Sequence, residues 1–191
     1  MTAIILAGGK SSRTTKYKAF MRVGREKLID RVILNLKEIF DEVIIVADEK
    51  SKYQEYGLKI FIDKVPNKGP LMGLYTGLLS SSSDYNFAVG CDQPFLNTDL
   101  IKYMINKELD VDIVIPRIRG QIQPLHALYR KSCLPFIEKN MKENRYSLYS
   151  LCKSAKVGYI EEDEINSKYD IEKAFFNVNT DLDLLKAEEL I

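Results

Sequence analysis

Tryptophan is absent from this chain, histidine occurs once, and neither sign of charge is in excess: 28 lysines and arginines stand against 27 aspartates and glutamates in 191 residues. A chain without a broad field has little to attract a nucleic-acid backbone or an anionic membrane, so neither is expected as a partner. The three cysteines, Cys91, Cys133 and Cys152, are widely spaced, odd in number and without C-x-x-C spacing. That argues against a disulfide framework or a zinc site and fits a reducing compartment. No apolar run is long enough to span a bilayer, and the chain opens on an apolar stretch of about six residues rather than on a signal-peptide core. These absences predict a cytoplasmic protein. Its length suits one domain, residues 1–191, without internal repeat or linker.

What is present is concentrated near the start. Thr2–Ala7 (TAIILA) has strand character and runs into Gly8-Gly9-Lys10-Ser11-Ser12-Arg13, with Lys16 and Lys18 following. Glycines let backbone N–H groups approach phosphates, and Arg and Lys neutralise the charge. The ATPase G-x-x-x-x-G-K-[ST] and the dinucleotide G-x-G-x-x-G are both missing. A glycine pair alone is common turn punctuation. With Arg13 and Lys18 added, the segment points to a polyphosphate held by a loop.

Strand and helix patterns then alternate. Leu28–Phe40 places Leu28, Val32, Leu36 and Ile39 on one helical face. Val43–Ala47 is a continuous apolar run, as a parallel strand covered on both faces requires. Further strands are predicted at Lys59–Ile62, Asn86–Gly90, Asp112–Pro116, Pro124–Tyr129, Val157–Ile160 and Ala174–Val178. Helices are predicted at Leu71–Leu79, Asp99–Asn106, Cys133–Glu143, Tyr146–Lys153 and Leu182–Leu190, with Leu182 and Leu185 facing the core. The alternation predicts an α/β three-layer, Rossmann-like fold with a mainly parallel central sheet.

Ligands of such sheets sit beyond the carboxyl ends of the strands. Gly8 and Gly9, Asp48, Asp63, Cys91-Asp92 and the pair Asn177/Asn179 all fall at predicted strand ends. Each alone is ordinary strand-ending chemistry. Together, opposite a cationic loop, they suggest a nucleotide and a metal, with Asp92 as the metal ligand. One carboxylate plus phosphate oxygens and waters is the usual way Mg²⁺ is held. Cys91 is expected to be a buried small hydrophobe. His126, inside an apolar strand pattern, is expected to be core or to line the substrate.

The segments Leu6–Arg13 with Lys18-Ala19, Asp63 through Gly73, Cys91–Phe95, Gln123–Tyr129 (QPLHALY) and Asn177–Thr180 (NVNT) span nearly the whole chain. Together they resemble the molybdenum cofactor guanylyltransferases. The first and third occur in many nucleotidyltransferases, whereas GPLMG, QPLHALY and NVNT narrow the resemblance to the molybdopterin branch. It implies a nucleotidyltransferase that moves GMP from GTP onto the terminal phosphate of molybdopterin cofactor and releases pyrophosphate. It also implies Leu6, Ala7 and Gly8 against the guanosine, Lys18 at the phosphates, Asp63 as a GTP contact, and Asp92 shared by GTP and Mg²⁺. Asp48 stands where the family often has Asn. Molybdoenzymes or other cofactor-biosynthesis proteins are the protein partners it implies.

The resemblance breaks in the first loop, where the family reads R-M-G-x-D/N-K. Here Thr15 replaces the glycine and Tyr17 a small polar residue. If that glycine has positive φ, threonine costs about 1–2 kcal/mol there, and a loop from Lys10 to Tyr17 that is mobile without nucleotide is predicted.

The chemistry asks for little more than this. The nucleophile is already a phosphate anion, so no strong base is required, and positioning with charge stabilisation does the work. Arg13 and Lys18 would hold the triphosphate. Asp63 or Asp48 would read the N1–H and 2-amino group of guanine. Asn179 would meet the acceptor or orient metal-bound water. Arg117, Arg119, Gln121, Gln123 and Arg130 are candidate contacts for the anionic pterin acceptor. A cytidylyltransferase of the same cofactor, a sugar-phosphate nucleotidyltransferase and a non-catalytic nucleotide-binding relative remain alternatives.

Overall fold

Apolar runs without alternation become inner strands, because a strand covered on both faces must be apolar at every position. The computed structural model describes residues 1–8, 17–63, 68–107 and 110–191. In chain order the elements are β1 (Thr2–Leu6), β2 (Arg22–Val23), β3 (Glu26–Lys27), α1 (Leu28–Lys37), β4 (Glu42–Ala47), β5 (Lys59–Ile62), α2 (Pro70–Ser80) and β6 (Tyr85–Gly90). They continue with α3 (Thr98–Asn106), β7 (Ile113–Ile118), β8 (Gln121–Ile122), β9 (His126–Arg130), α4 (Leu134–Lys142), α5 (Leu148–Ser154), β10 (Val157–Glu161), α6 (Glu162–Ile165), α7 (Ile171–Ala174) and α8 (Asp181–Glu189). Short 3₁₀ turns lie at Lys18–Phe20, Lys50–Tyr56 and Lys131–Cys133.

The main sheet runs β10-β7-β9-β6-β1-β4-β5, with β8 paired to β7. β5, β4, β1 and β6 are parallel, and Phe61, Val46, Leu6 and Gly90 lie in one row across them. β9 alone of the long strands runs antiparallel, against β6 and β7. Alternate residues of β1 enter opposite layers: Ala3 and Ile5 meet α1 and α3, while Ile4 and Leu6 meet α2. Close approach of α2 depends on its glycines. A Cβ on Gly73 would lie 3.2 Å from Leu6, and one on Gly77 would lie 2.5 Å from Ile4. The α1 stripe Leu28, Val32 and Leu36 is fully buried, each side chain contributing roughly 1.5–3 kcal/mol.

Three expectations differ from the structure. Ala174–Val178 is not a strand: α7 ends at Ala174 and the chain continues as a loop. Its apolar residues are covered by side-chain packing instead: Phe175, half-buried, lies against His126, Phe176, half-buried, against Phe95, and Val178 is buried in the cluster with Met21 and Leu28. Leu182 and Leu185 are exposed, because α8 turns Ala187 and Leu184 inward. The expected strand at Pro124–Tyr129 begins only at His126.

Candidate active site

β1 is flanked by β4 on one side and β6 on the other; the chain leaves β1 toward β4 and leaves β6 in the opposite direction, toward β7, so the two connections diverge and open a crevice at the carboxyl ends of β1 and β6. The strand tips there are held by backbone bonds. Ala7 N–H donates to Val46 C=O at 2.9 Å, Asp63 N–H to Ala47 C=O at 3.0 Å, and Cys91 N–H to Leu6 C=O at 3.2 Å. Ala7, Gly8, Asp48, Asp63 and Asp92 therefore share one rim. Three inter-strand spacings separate the tip of β5 from that of β6, about 14 Å, the span of a nucleotide laid across the strand ends. Gly8 and Asp48 are exposed, and Asp63 is half-buried. Among the described residues, a Cβ on Gly8 would meet nothing closer than Asp48 N at 3.8 Å. Packing against the described residues does not demand this glycine.

Asp92 follows β6 with its carboxylate folded back over Gly90: a Cβ there would come within 2.5 Å of Asp92 Oδ1. The Lys18 ammonium lies 3.4 Å from Asp92 Oδ2 and donates to Asn179 Oδ1 at 2.5 Å. The Asn179 loop is pinned from both sides. Val178 N–H donates to Asp92 C=O at 2.9 Å. The Asp183 carboxylate accepts from the N–H of Asn179 and from the N–H and hydroxyl of Thr180, capping α8. Burial works to raise the Asp183 pKa, but these bonds outweigh it and hold it below its usual value. Lys18, Asp92 and Asn179 thus form a clasp at the β1–β6 crevice.

Gly9, Arg13 and Thr15 lie outside the described residues, as does the rest of the first loop up to Lys16. Tyr17 is described: the Lys52 ammonium sits 3.4 Å from its ring centroid. Asn177 donates to Phe175 C=O and stays within its own loop. One contact had no sequence signal. The Tyr53 hydroxyl, fully buried, donates to Ala7 C=O at 2.8 Å and fixes the exit of β1. Burial pushes its pKa far up, so it remains a donor.

The residues expected to meet an acceptor separate. Arg119, Gln121 and Gln123 line a cavity of about 380 Å³ with Ile118, Ile171, Glu172 and Phe175, and the Arg119 guanidinium is ion-paired with Glu172 there. Arg119 and Gly120 both have positive φ, as a two-residue hairpin turn requires. Arg117 is engaged in a two-pronged pair with Glu161, whose carboxyl it holds below its usual pKa. Arg130 is a correction. β9 runs antiparallel to β6, pairing Arg130 with Tyr85 at the opposite end of the sheet from Asp92. There it lies 3.6 Å from both Asp84 and Asp110.

Cys91 and Cys133 are buried, and burial pushes both thiols well up, so neither is a ready nucleophile. His126 is fully buried, and desolvation lowers its pKa to about 3, which keeps it neutral. No group of three His, Cys, Asp or Glu that could hold a metal occurs among the described residues. No helix among them is long and apolar enough to cross a membrane.

Residues 3–157 match the MobA-like NTP transferase domain. The chain is 38% identical to a probable molybdenum cofactor guanylyltransferase of Clostridium perfringens over 99% of its own length and 98% of that protein's. It is also 38% identical to one of Pelotomaculum thermopropionicum, covering 97% and 91%. The solved structure of molybdopterin-guanine dinucleotide biosynthesis protein A from Archaeoglobus fulgidus superposes with a TM-score of 0.86 over 100% of this chain and 98% of that one. At 20% identity that likeness speaks for the fold alone. The chain belongs to the MobA-like NTP transferases and, within them, to the molybdenum cofactor guanylyltransferases.

Proposed function

We propose that this protein transfers GMP from GTP to the terminal phosphate of molybdenum-molybdopterin cofactor, giving the guanine dinucleotide and pyrophosphate. What supports this most is the clasp of Lys18, Asp92 and Asn179 at the crevice where a nucleotide of this fold lies. An oxygen of the acceptor phosphate bonds to the α-phosphorus of GTP as the bond to the β-phosphate oxygen breaks. Lys18, freed from Asp92 by the arriving triphosphate, neutralises the charge that grows on pyrophosphate. Arg13 shares that task. Leu6, Ala7, Gly8 and Gly9 border the nucleoside and its phosphates, and Asp48 and Asp63 stand at the base end of the rim.

The donor set fits Mg²⁺ rather than a softer metal. It offers one carboxylate, Asp92, and one amide oxygen, on Asn179, with no histidine or thiolate exposed beside them. The glycine at 90 leaves room for the Asp92 carboxylate to hold its present position. When bound, the cation screens the repulsion between the two phosphate anions that must meet.

The cavity lined by Arg119, Gln121 and Gln123 is where the acceptor docks. Amide side chains suit the donors and acceptors of a pterin, and the Arg119 guanidinium, exchanging Glu172 for the ligand, suits its phosphate. Arg119 occupies a left-handed position at a cost of roughly 1–2 kcal/mol, which asparagine or glycine would reduce.

A thermal-shift panel tests nucleotide choice, since a ligand that binds only the folded state raises its stability. GTP with Mg²⁺ is expected to raise Tm more than CTP, ATP or UTP. A larger response to CTP assigns the chain to cytidylyl transfer instead.

A further inference from the structure

The one histidine occupies a place where the fold has no need of it. His126 sits in β9 with its ring centroid 5.2 Å from Phe87, edge-on, and 4.7 Å from Phe175. Phenylalanine would make both contacts. Instead the imidazole is fully buried, and its Nε2 finds no hydrogen-bond partner among the described residues. Burying an unsatisfied ring nitrogen carries a desolvation cost that phenylalanine would not. What histidine adds is the other nitrogen. Nδ1 lies 3.0 Å from Gln93 Oε1, and Gln93 is itself buried and follows Asp92 directly. The neutral ring has one proton, and an amide oxygen faces Nδ1, so Nδ1–H donates.

The two neighbours of His126 belong to the two arms of the clasp. Gln93 continues the Asp92 turn. Phe175 begins the loop that ends in Asn179, and Asn177 Nδ2 is bonded to the Phe175 carbonyl at 3.0 Å. The arms are tied to each other by the Val178 N–H to Asp92 C=O bond at 2.9 Å. His126 touches a residue of each arm, Gln93 through a hydrogen bond and Phe175 through a ring contact.

We propose that His126 is a positioning residue for nucleotidyl transfer, holding the Asp92 turn and the Asn179 loop at the spacing that the divalent cation and the phosphates require. This rests on the role given above to Asp92. It predicts a defect in cation use rather than in folding: in His126→Phe the ring contacts survive, and the cost of leaving Gln93 Oε1 without its donor is offset by removal of the unpartnered Nε2. A group that orients a metal-binding carboxylate is worth about tenfold or more in metal affinity or activity.

The test compares wild type, His126→Phe, His126→Asn and Asp92→Ala. It measures pyrophosphate release from GTP and molybdopterin cofactor against Mg²⁺ concentration, with Tm recorded for each. His126→Phe is expected to melt near wild type, to keep its KM for GTP, and to need about tenfold more Mg²⁺ for half-maximal rate. His126→Asn, whose amide N–H falls near the position of Nδ1–H, is expected to return most of that loss. A folded His126→Phe with the wild-type Mg²⁺ requirement overturns the proposal. If His126→Phe does not fold, Gln93→Leu removes the acceptor of the same bond: the same Mg²⁺ shift supports the proposal, and an unshifted requirement overturns it. A folded Asp92→Ala variant with undiminished activity overturns the underlying role of Asp92 instead.

Discussion

The Lys18 ammonium lies 3.4 Å from Asp92 Oδ2, joining residues 74 positions apart in the chain. Both side chains are about one-fifth to one-quarter exposed, so the pair is a surface ion pair of modest strength, roughly 0–1 kcal/mol. Its value lies in what it keeps ready. Without ligand, the lysine neutralises the carboxylate that a cation would otherwise neutralise. In the proposed reaction a triphosphate with its cation would offer each a stronger partner, and the pair can exchange without unfolding anything.

Lys18→Met should therefore lower kcat/KM for GTP by about a hundredfold or more, the scale for removing a group that stabilises transition-state charge. Tm should change little, because the ion pair contributes so little to stability. A Tm loss of many degrees with retained turnover would assign Lys18 to the fold instead.

Gly90→Ala should separate the site from the scaffold. The added Cβ would come within 2.5 Å of Asp92 Oδ1 and little else. The carboxylate is the free end of a short side chain and can swing away at small cost in stability. The Mg²⁺-dependent rate should fall about tenfold or more, as it does when a metal-binding group is misoriented. Gly77→Ala is the contrast: its Cβ would meet Ile4 in the core, at 2.5 Å and 3.0 Å. Overpacking there costs about 1–3 kcal/mol, less the roughly 1 kcal/mol that alanine gains in a helix, and leaves the Mg²⁺ requirement unchanged. Melting curves and Mg²⁺ titrations of the two variants check both statements.

Acid stability should depend on Glu42, at the amino end of β4 and far from the crevice. Lys59, then Ser82 and Thr2, hydrogen-bond its carboxylate and lower its pKa from 4.5 to about 2 against the opposing effect of burial. A carboxyl whose pKa is depressed on folding contributes stability above its unfolded value and loses it as pH falls through the folded one. Its contribution, about 2 kcal/mol after allowance for the exposed Lys59, is thus full above pH 5 and fades between pH 4.5 and 2. Glu42→Gln should lower the stability measured by urea unfolding at pH 7 and flatten its fall across that acid window. An unchanged slope there would place the acid sensitivity elsewhere.

Much of this architecture was legible in the sequence because the inner strands carry no alternation. Thr2–Leu6 and Glu42–Ala47 are apolar nearly throughout, and Asp48, Asp63 and Asp92 stand just past the ends of Glu42–Ala47, Lys59–Ile62 and Tyr85–Gly90. Ala174–Val178 misled for the same reason, since its apolar residues are covered by side chains without joining a sheet. Leu182 and Leu185 were assigned to the wrong stripe of a helix whose inward face holds Leu184 and Ala187. Arg130 shows a different limit. Residue types predict a strand but not its direction, and direction decides which end of the sheet an arginine reaches. Lys18 and Asp92 were legible as candidate site residues, but the Tyr53 hydroxyl on Ala7 and the His126–Gln93 bond were not. Each joins positions more than 30 apart through side chains that read as ordinary core.

The transfer reaction itself tests the central claim most directly. Purified protein is incubated with Mg²⁺, molybdenum-molybdopterin cofactor and either GTP or CTP, and the dinucleotide and pyrophosphate are quantified together. Wild type should form molybdopterin guanine dinucleotide and pyrophosphate in equal amounts from GTP, with little product from CTP, and folded Asp92→Ala should form almost none. Preferential product from CTP, no product from either nucleotide, or undiminished product from folded Asp92→Ala would contradict the account.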